Sequence, residues 1–72
     1  MSEYNGHRSR AAWNVALWIG NDESLYNRAK VLLRVCRTKA RAAERLLSEL
    51  PEATPDGVKY TKTTVLLALR GL

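Results

Sequence analysis

Five cations, Lys30, Arg34, Arg37, Arg41 and Arg45, recur along the chain at steps of three or four residues. On a helix turning about 100° per residue, such steps gather them on one face, over about 22 Å. No acid interrupts the chain between Glu23 and Glu44. Four of the five are arginine, whose planar fork suits paired contacts with phosphate or carboxylate. A solvated helix surface would also be rich in Lys and Arg, because both favour helices. The pattern points to an anionic partner, nucleic-acid backbone first. Binding of this kind would be mostly to phosphate and weakly specific. No aromatic residue interleaves the cations, so stacking on single-stranded bases is not indicated.

Other chemistry is scarce. His7 is the only histidine, set beside Gly6 and Arg8, and no second ligand or nucleophile accompanies it. Ser24 and Ser48 lack a base partner, and no glycine-rich phosphate loop is present. Asp22 and Glu23 are adjacent and would point in different directions on a helix, which suits capping better than a metal or catalytic pair. Cys36 stands alone, which excludes an intramolecular disulfide and a cysteine-based zinc cluster and fits a reducing cytosol. It reads as a small buried hydrophobe. A short helical domain is also a poor host for an active-site cavity. The expectation is a protein that is not an enzyme and uses no cofactor or metal.

Seventy-two residues make one domain, near the lower limit of what a single core stabilises without staples. Twelve Lys and Arg against seven Asp and Glu give a formal net charge of +5. The isoelectric point near 9.9 agrees with an anionic partner. The polar start MSEYNGHRSR has no apolar signal region, and no apolar run approaches the roughly 20 residues that span a bilayer. A soluble, cytoplasmic protein is expected, with no membrane partner.

The elements that must position these residues centre on Ala11 to Tyr26, which holds both tryptophans. Trp13, Ala16 and Leu17 share one side of a helical wheel, while Val15, Trp18 and Ile19 cover most of the rest. Only a strip through Arg10 and Asn14 is left polar. A helix apolar over most of its circumference needs partners on more than one side. Ser9 is an acceptable N-cap for a helix over about 9–19; Gly20 would supply a left-handed C-cap, and Asn21 or Asp22 would cap the next helix. From Leu25, an apolar stripe runs through Ala29, Leu32, Cys36, Ala40, Ala43 and Leu47 to Leu50 before Pro51 ends it. With no Gly or Pro inside, the expectation is one long helix over about 22–50, about 39 Å from Leu25 to Leu50; a break near Arg37 to Lys39 is the competing reading. Thr54-Pro55-Asp56-Gly57 reads as a type I turn, with Val58 and Tyr60 extended after it. Thr61 would cap a last helix over about 61–72. The expected fold is all-α, a small three-helix domain with a long central-sequence helix, preceded by a flexible arm over 1–8. Its expected core is Trp13, Leu17, Leu25, Ala29, Leu32, Cys36, Leu47, Val65 and Leu69.

The string Trp13-Asn14-Val15-Ala16-Leu17-Trp18-Ile19, followed by Asn21-Asp22-Glu23 and Leu25-Tyr26, resembles the signature of a family of small uncharacterised bacteriophage proteins. The closing Thr54-Pro55-Asp56-Gly57 with Tyr60, Thr61, Thr64 and Val65 is similar to the tails of that group. The resemblance implies a phage or prophage origin and an accessory role on host machinery or defence systems, with no assigned activity. A second stretch, Ala42 to Leu50 and then Tyr60 to Val65 with Leu69, is similar to a helix-turn-helix. That likeness would bring Lys59, Thr61, Lys62 and Thr63 to DNA. Its connection departs from the motif, with ten residues between Leu50 and Thr61 where the motif uses three or four.

Two function classes follow. In the first, Lys30, Arg34, Arg37, Arg41 and Arg45 neutralise phosphates, helped by Lys59 and Lys62. In the second, the same face docks onto an acidic surface of a host enzyme or defence complex. Homodimerisation is a third reading, through Val31, Val35 and Leu46 beside the main stripe.

Overall fold

The computed structural model describes residues 9–72, in which four helices follow one another: α1 (Arg10–Asn21), α2 (Glu23–Val35), α3 (Lys39–Glu49) and α4 (Lys62–Arg70). The expected arm over 1–8 lies outside the described residues. Among the described residues there is no strand; one isolated antiparallel bridge pairs Ala53 with Lys59. No helix is long and apolar enough to cross a membrane.

Each helix starts on a side chain that takes an orphan backbone N–H. Ser9 accepts from Ala12, Asp22 from Leu25, Thr38 from Arg41 and Thr61 from Thr64. Asp22 also closes α1, its own N–H donating to the Trp18 carbonyl at 3.0 Å. One residue therefore ends the first helix and begins the second. Gly20 lies inside α1 and is not a left-handed cap; the positive-φ glycine is Gly57, at 86° in the turn.

The expected single helix over 22–50 is two helices. Cys36 leaves helical geometry at φ −89°, ψ 143°, and Thr38, also extended, caps α3. The apolar steps from Leu32 to Ala43 run through this break without revealing it. Beyond the break the chain doubles back, so that Arg28 on α2 meets Glu49 on α3 in a forked pair, both N–O distances 2.7 Å. An unbroken helix from Leu25 to Leu50 would be about 39 Å long, beyond the 35 Å greatest extent of the fold. The expected three-helix domain is therefore a four-helix one.

The core also differs from the expected one. Val15, Ile19, Ala29, Leu32, Ala42, Ala43, Leu46, Tyr60, Val65, Ala68 and Leu69 form its buried cluster. Ala29, Leu32, Val65 and Leu69 were expected there. Trp13, Leu17, Leu25, Cys36 and Leu47 are only half-buried. α1 turns Ala12, Val15 and Ile19 inward, a three-and-four-step stripe beside the expected one. Leu46 is fully buried and belongs to the core, not to an association patch. α1 packs most extensively on α4, and α4 packs in turn on α3.

Asn14 is the sharpest departure from expectation, because it lies on the strip expected to be polar and is only 2% exposed. Both polar atoms of its side chain have a partner. The Asn14 carbonyl accepts the Thr54 hydroxyl at 2.7 Å, and its amide donates to Asp56 Oδ2 at 2.8 Å. The same Asp56 oxygen accepts the Trp18 indole N–H at 2.9 Å. Thr54 and Asp56 belong to the expected turn, which forms, with Gly57 N–H donating to the Thr54 carbonyl at 2.8 Å. Four side chains thus pin the 51–60 connection onto α1, and no buried side-chain polar atom among the described residues lacks a hydrogen-bond partner.

Candidate functional site

The break between α2 and α3 creates a concave surface. Val35, Cys36, Arg37, Arg41, Glu44, Arg45 and Ser48 line a groove of ≈ 490 Å³ at the elbow. On α3, Arg41, Glu44, Arg45 and Ser48 share the face opposite to the buried Ala42, Ala43 and Leu46, as helical spacing requires. Arg37 is supplied by the break itself. Of the seven residues in the expected basic site, the groove brings together Arg37, Arg41 and Arg45, all exposed.

The other four stand apart. Arg34 occupies the last turn of α2, where a cation complements the partial negative charge of the helix end. Lys30 lies with its ammonium 5.6 Å from the centre of the Tyr26 ring, a cation–π contact. Lys59 is exposed in the bridge with Ala53. Lys62 opens α4 and pairs with Glu44 at 3.1 Å, on the margin of the groove. The expected straight five-cation stripe is therefore split by the turn of the chain at Cys36–Thr38.

Electrostatically the groove is one-sided. Glu44 is its one carboxylate, and Lys62 engages it. Glu49, beyond the groove, is held by Arg28, whose forked hydrogen bonds keep the Glu49 carboxyl below its ordinary value and the Arg28 guanidinium above its own. Val35, 68% exposed, lines the groove with the guanidinium groups, and Val31, 45% exposed, lies one turn earlier on α2. Sequence reasoning found these valines and the three arginines but not their meeting in a hollow, which depends on the break.

Thr61, the helix-turn-helix candidate, uses its hydroxyl at home. It accepts the Thr64 N–H at 3.1 Å, while its own N–H donates to the Thr64 hydroxyl at 3.0 Å, closing a capping box. Its neighbours Lys62 and Thr63 are exposed at the start of α4.

The 13–19 string and the 54–57 turn meet at Asp56. Hydrogen bonds from Asn14 and then from Trp18 hold its carboxyl below the ordinary carboxylate value. Asn14 and Trp18 belong to the string, Thr54 and Asp56 to the turn, so in this fold these four residues serve packing. Among the described residues, no group of three or more His, Cys, Asp or Glu is placed to hold a metal ion. His7 lies outside them.

No curated protein and no solved structure matches the chain. A family model does match, over residues 1–68, and the chain belongs to that family, DUF7249, a family of unknown function.

Proposed function

We propose that this is a non-enzymatic, phage-encoded accessory protein that acts in the host cytosol by binding nucleic-acid backbone through the basic groove at the α2–α3 elbow. The observation that carries this reading is the convergence of Arg37, Arg41 and Arg45 on one concave surface whose single carboxylate is engaged by Lys62. Guanidinium forks on a concave wall suit phosphate oxygens. Contact would be to backbone, with little readout of sequence.

Three phosphate contacts set a salt dependence. The logarithm of the duplex binding constant should fall by about 2.7 per decade of salt, roughly a fortyfold loss between about 50 and 200 mM. Anisotropy of a labelled duplex of about 20 base pairs, titrated at both salt concentrations, measures this directly. A variant with Arg37, Arg41 and Arg45 changed to Glu should lose the binding. Native protein that fails to bind at the lower salt, or a variant that binds as well, would sink the nucleic-acid reading.

A second reading has its own support. Val35 gives the groove an aliphatic wall that a phosphate backbone does not need, and an acidic protein surface would use both features. On that reading the protein inhibits or modulates a host enzyme or defence complex, and Val35→Ser weakens binding alongside the arginine variant. For duplex binding, Val35→Ser should be neutral.

A further inference from the structure

At the other end of α2 from the elbow, the corner between α1 and α2 holds a second hollow, ≈ 310 Å³, with the opposite character. Trp18, Leu25, Pro51, Pro55 and Tyr60 form apolar and aromatic walls, and Asp22 and Ser24 stand at them. Among the described residues no Lys or Arg lines it, in a chain whose formal charge is +5.

Asp22 is the one acid in its lining, and none of the acids around this corner is ion-paired among the described residues. Six acidic residues are described, and two of them, Glu44 and Glu49, are ion-paired with Lys62 and Arg28. The other four, Asp22, Glu23, Glu52 and Asp56, belong to the two segments that build this corner, the start of α2 and the 51–60 connection. Asp22 spends one oxygen, Oδ1, on the Leu25 N–H at 3.0 Å. Among the described residues Oδ2 has no further hydrogen bond. The Asp22 charge also reaches the wall, since it adds to burial in raising the Tyr60 phenol above its ordinary value.

Aromatic faces, aliphatic walls and one carboxylate are the complement of a long cationic side chain. The methylene stem lies along apolar surface while the charged head faces ring and carboxylate. The volume is at the lower limit of ligand sites, enough for one side chain. We infer that this corner receives a single arginine or lysine side chain presented by a partner protein, against Trp18, Tyr60 and Asp22. This site is independent of the basic groove, and its occupant carries the opposite charge.

The test is a two-dimensional NMR titration of the labelled full chain with the peptide Gly-Gly-Arg-Gly-Gly and with the same peptide carrying neutral citrulline. The arginine peptide is expected to shift the Trp18 indole N–H and the Leu25 and Tyr60 amides saturably, while the citrulline peptide leaves them in place. Asp22→Asn removes the charge but keeps a side-chain acceptor for the cap, so the fold should persist and the affinity drop about threefold, as for an exposed ion pair. Equal shifts from the two peptides, or unchanged affinity in Asp22→Asn, would overturn the inference. So would movement of the same resonances on simple dilution that disappears in Arg41→Glu, because the occupant would then be the basic elbow of a second copy of the chain.

Discussion

Asn14 offers the most direct probe of what holds this fold together. Replacing it with leucine keeps the approximate shape and removes both hydrogen bonds. The Thr54 hydroxyl, which donates to Asn14 at 2.7 Å, would be left with its proton unmatched in a position only 4% exposed. Its oxygen still accepts the Val58 N–H at 3.2 Å, so only the donor is orphaned. Leaving a buried donor orphaned costs about 1–3 kcal/mol, so Asn14→Leu should destabilise by about 1–3 kcal/mol. The exposed Asp56 carboxylate regains water and contributes nothing to that figure. At roughly 4–8 °C per kcal/mol for a domain of this size, the melting temperature should fall by roughly 4–24 °C. Thr54→Val alone should cost about 1–3 kcal/mol by orphaning the Asn14 carbonyl. In the double variant neither the Thr54 donor nor the Asn14 acceptor is orphaned, and only the Val58 N–H, bonded to the Thr54 hydroxyl in wild type, lacks its acceptor, as it already does in Thr54→Val, so the loss should be smaller than the sum of the singles by about 1 kcal/mol or more. Thermal and urea unfolding followed by circular dichroism gives all three values. Additive losses, or an Asn14→Leu protein within about 0.5 kcal/mol of wild type, would refute the assignment of this contact as a structural pin.

Two further predictions follow from the same geometry. Asp56 has a folded-state pKa below its ordinary 3.8, so its contribution is fully present above that value and is lost as pH falls through the depressed one. The urea midpoint of wild type should therefore drop more steeply below about pH 4 than that of Asp56→Asn, and parallel pH profiles would contradict the Asn14 and Trp18 hydrogen bonds. At the elbow, Thr38→Ala removes the cap that starts α3 and should cost about 1 kcal/mol in urea unfolding. A neutral result there would mean that the break does not rest on this cap.

What could be read from the sequence was the local chemistry. Ser9, Asp22 and Thr61 act within three residues of themselves, and Thr54-Pro55-Asp56-Gly57 closes on itself, so residue types alone indicate them. The elbow was legible only as the competing reading, a break near Arg37 to Lys39, and that reading is the one the fold adopts. Cys36 and Ala40 continue the helical spacing of Leu32 and Ala43, there is no Gly or Pro to mark a stop, and Thr38 looks like any mid-helix polar residue until the chain has to turn back and cover α1. Asn14 was misread for a different reason. Its partners lie 40 and 42 residues away, and a polar side chain facing such partners cannot be told from one facing water. The choice between Val15–Ile19 and Trp13–Leu17 as the inner face of α1 was likewise undecided by a helix apolar on most sides; α4 and the 51–60 connection decide it. The arginines Arg37, Arg41 and Arg45 were legible as a basic face, but a hollow exists only where that face bends.

The partnership of α1 with α4 has a consequence for how the chain is made. α1 leaves the ribosome well before α4, where it finds its most extensive contact, and its polar anchor sits at Thr54 and Asp56. Until those segments emerge, Val15 and Ile19 have nothing to pack against on that side, and both tryptophans remain within reach of water and of other chains. α2 and α3, neighbours joined by a short elbow, can pair earlier. Synthesis therefore passes through a stage in which the most apolar helix is complete but uncovered, the kind of intermediate that chaperones bind.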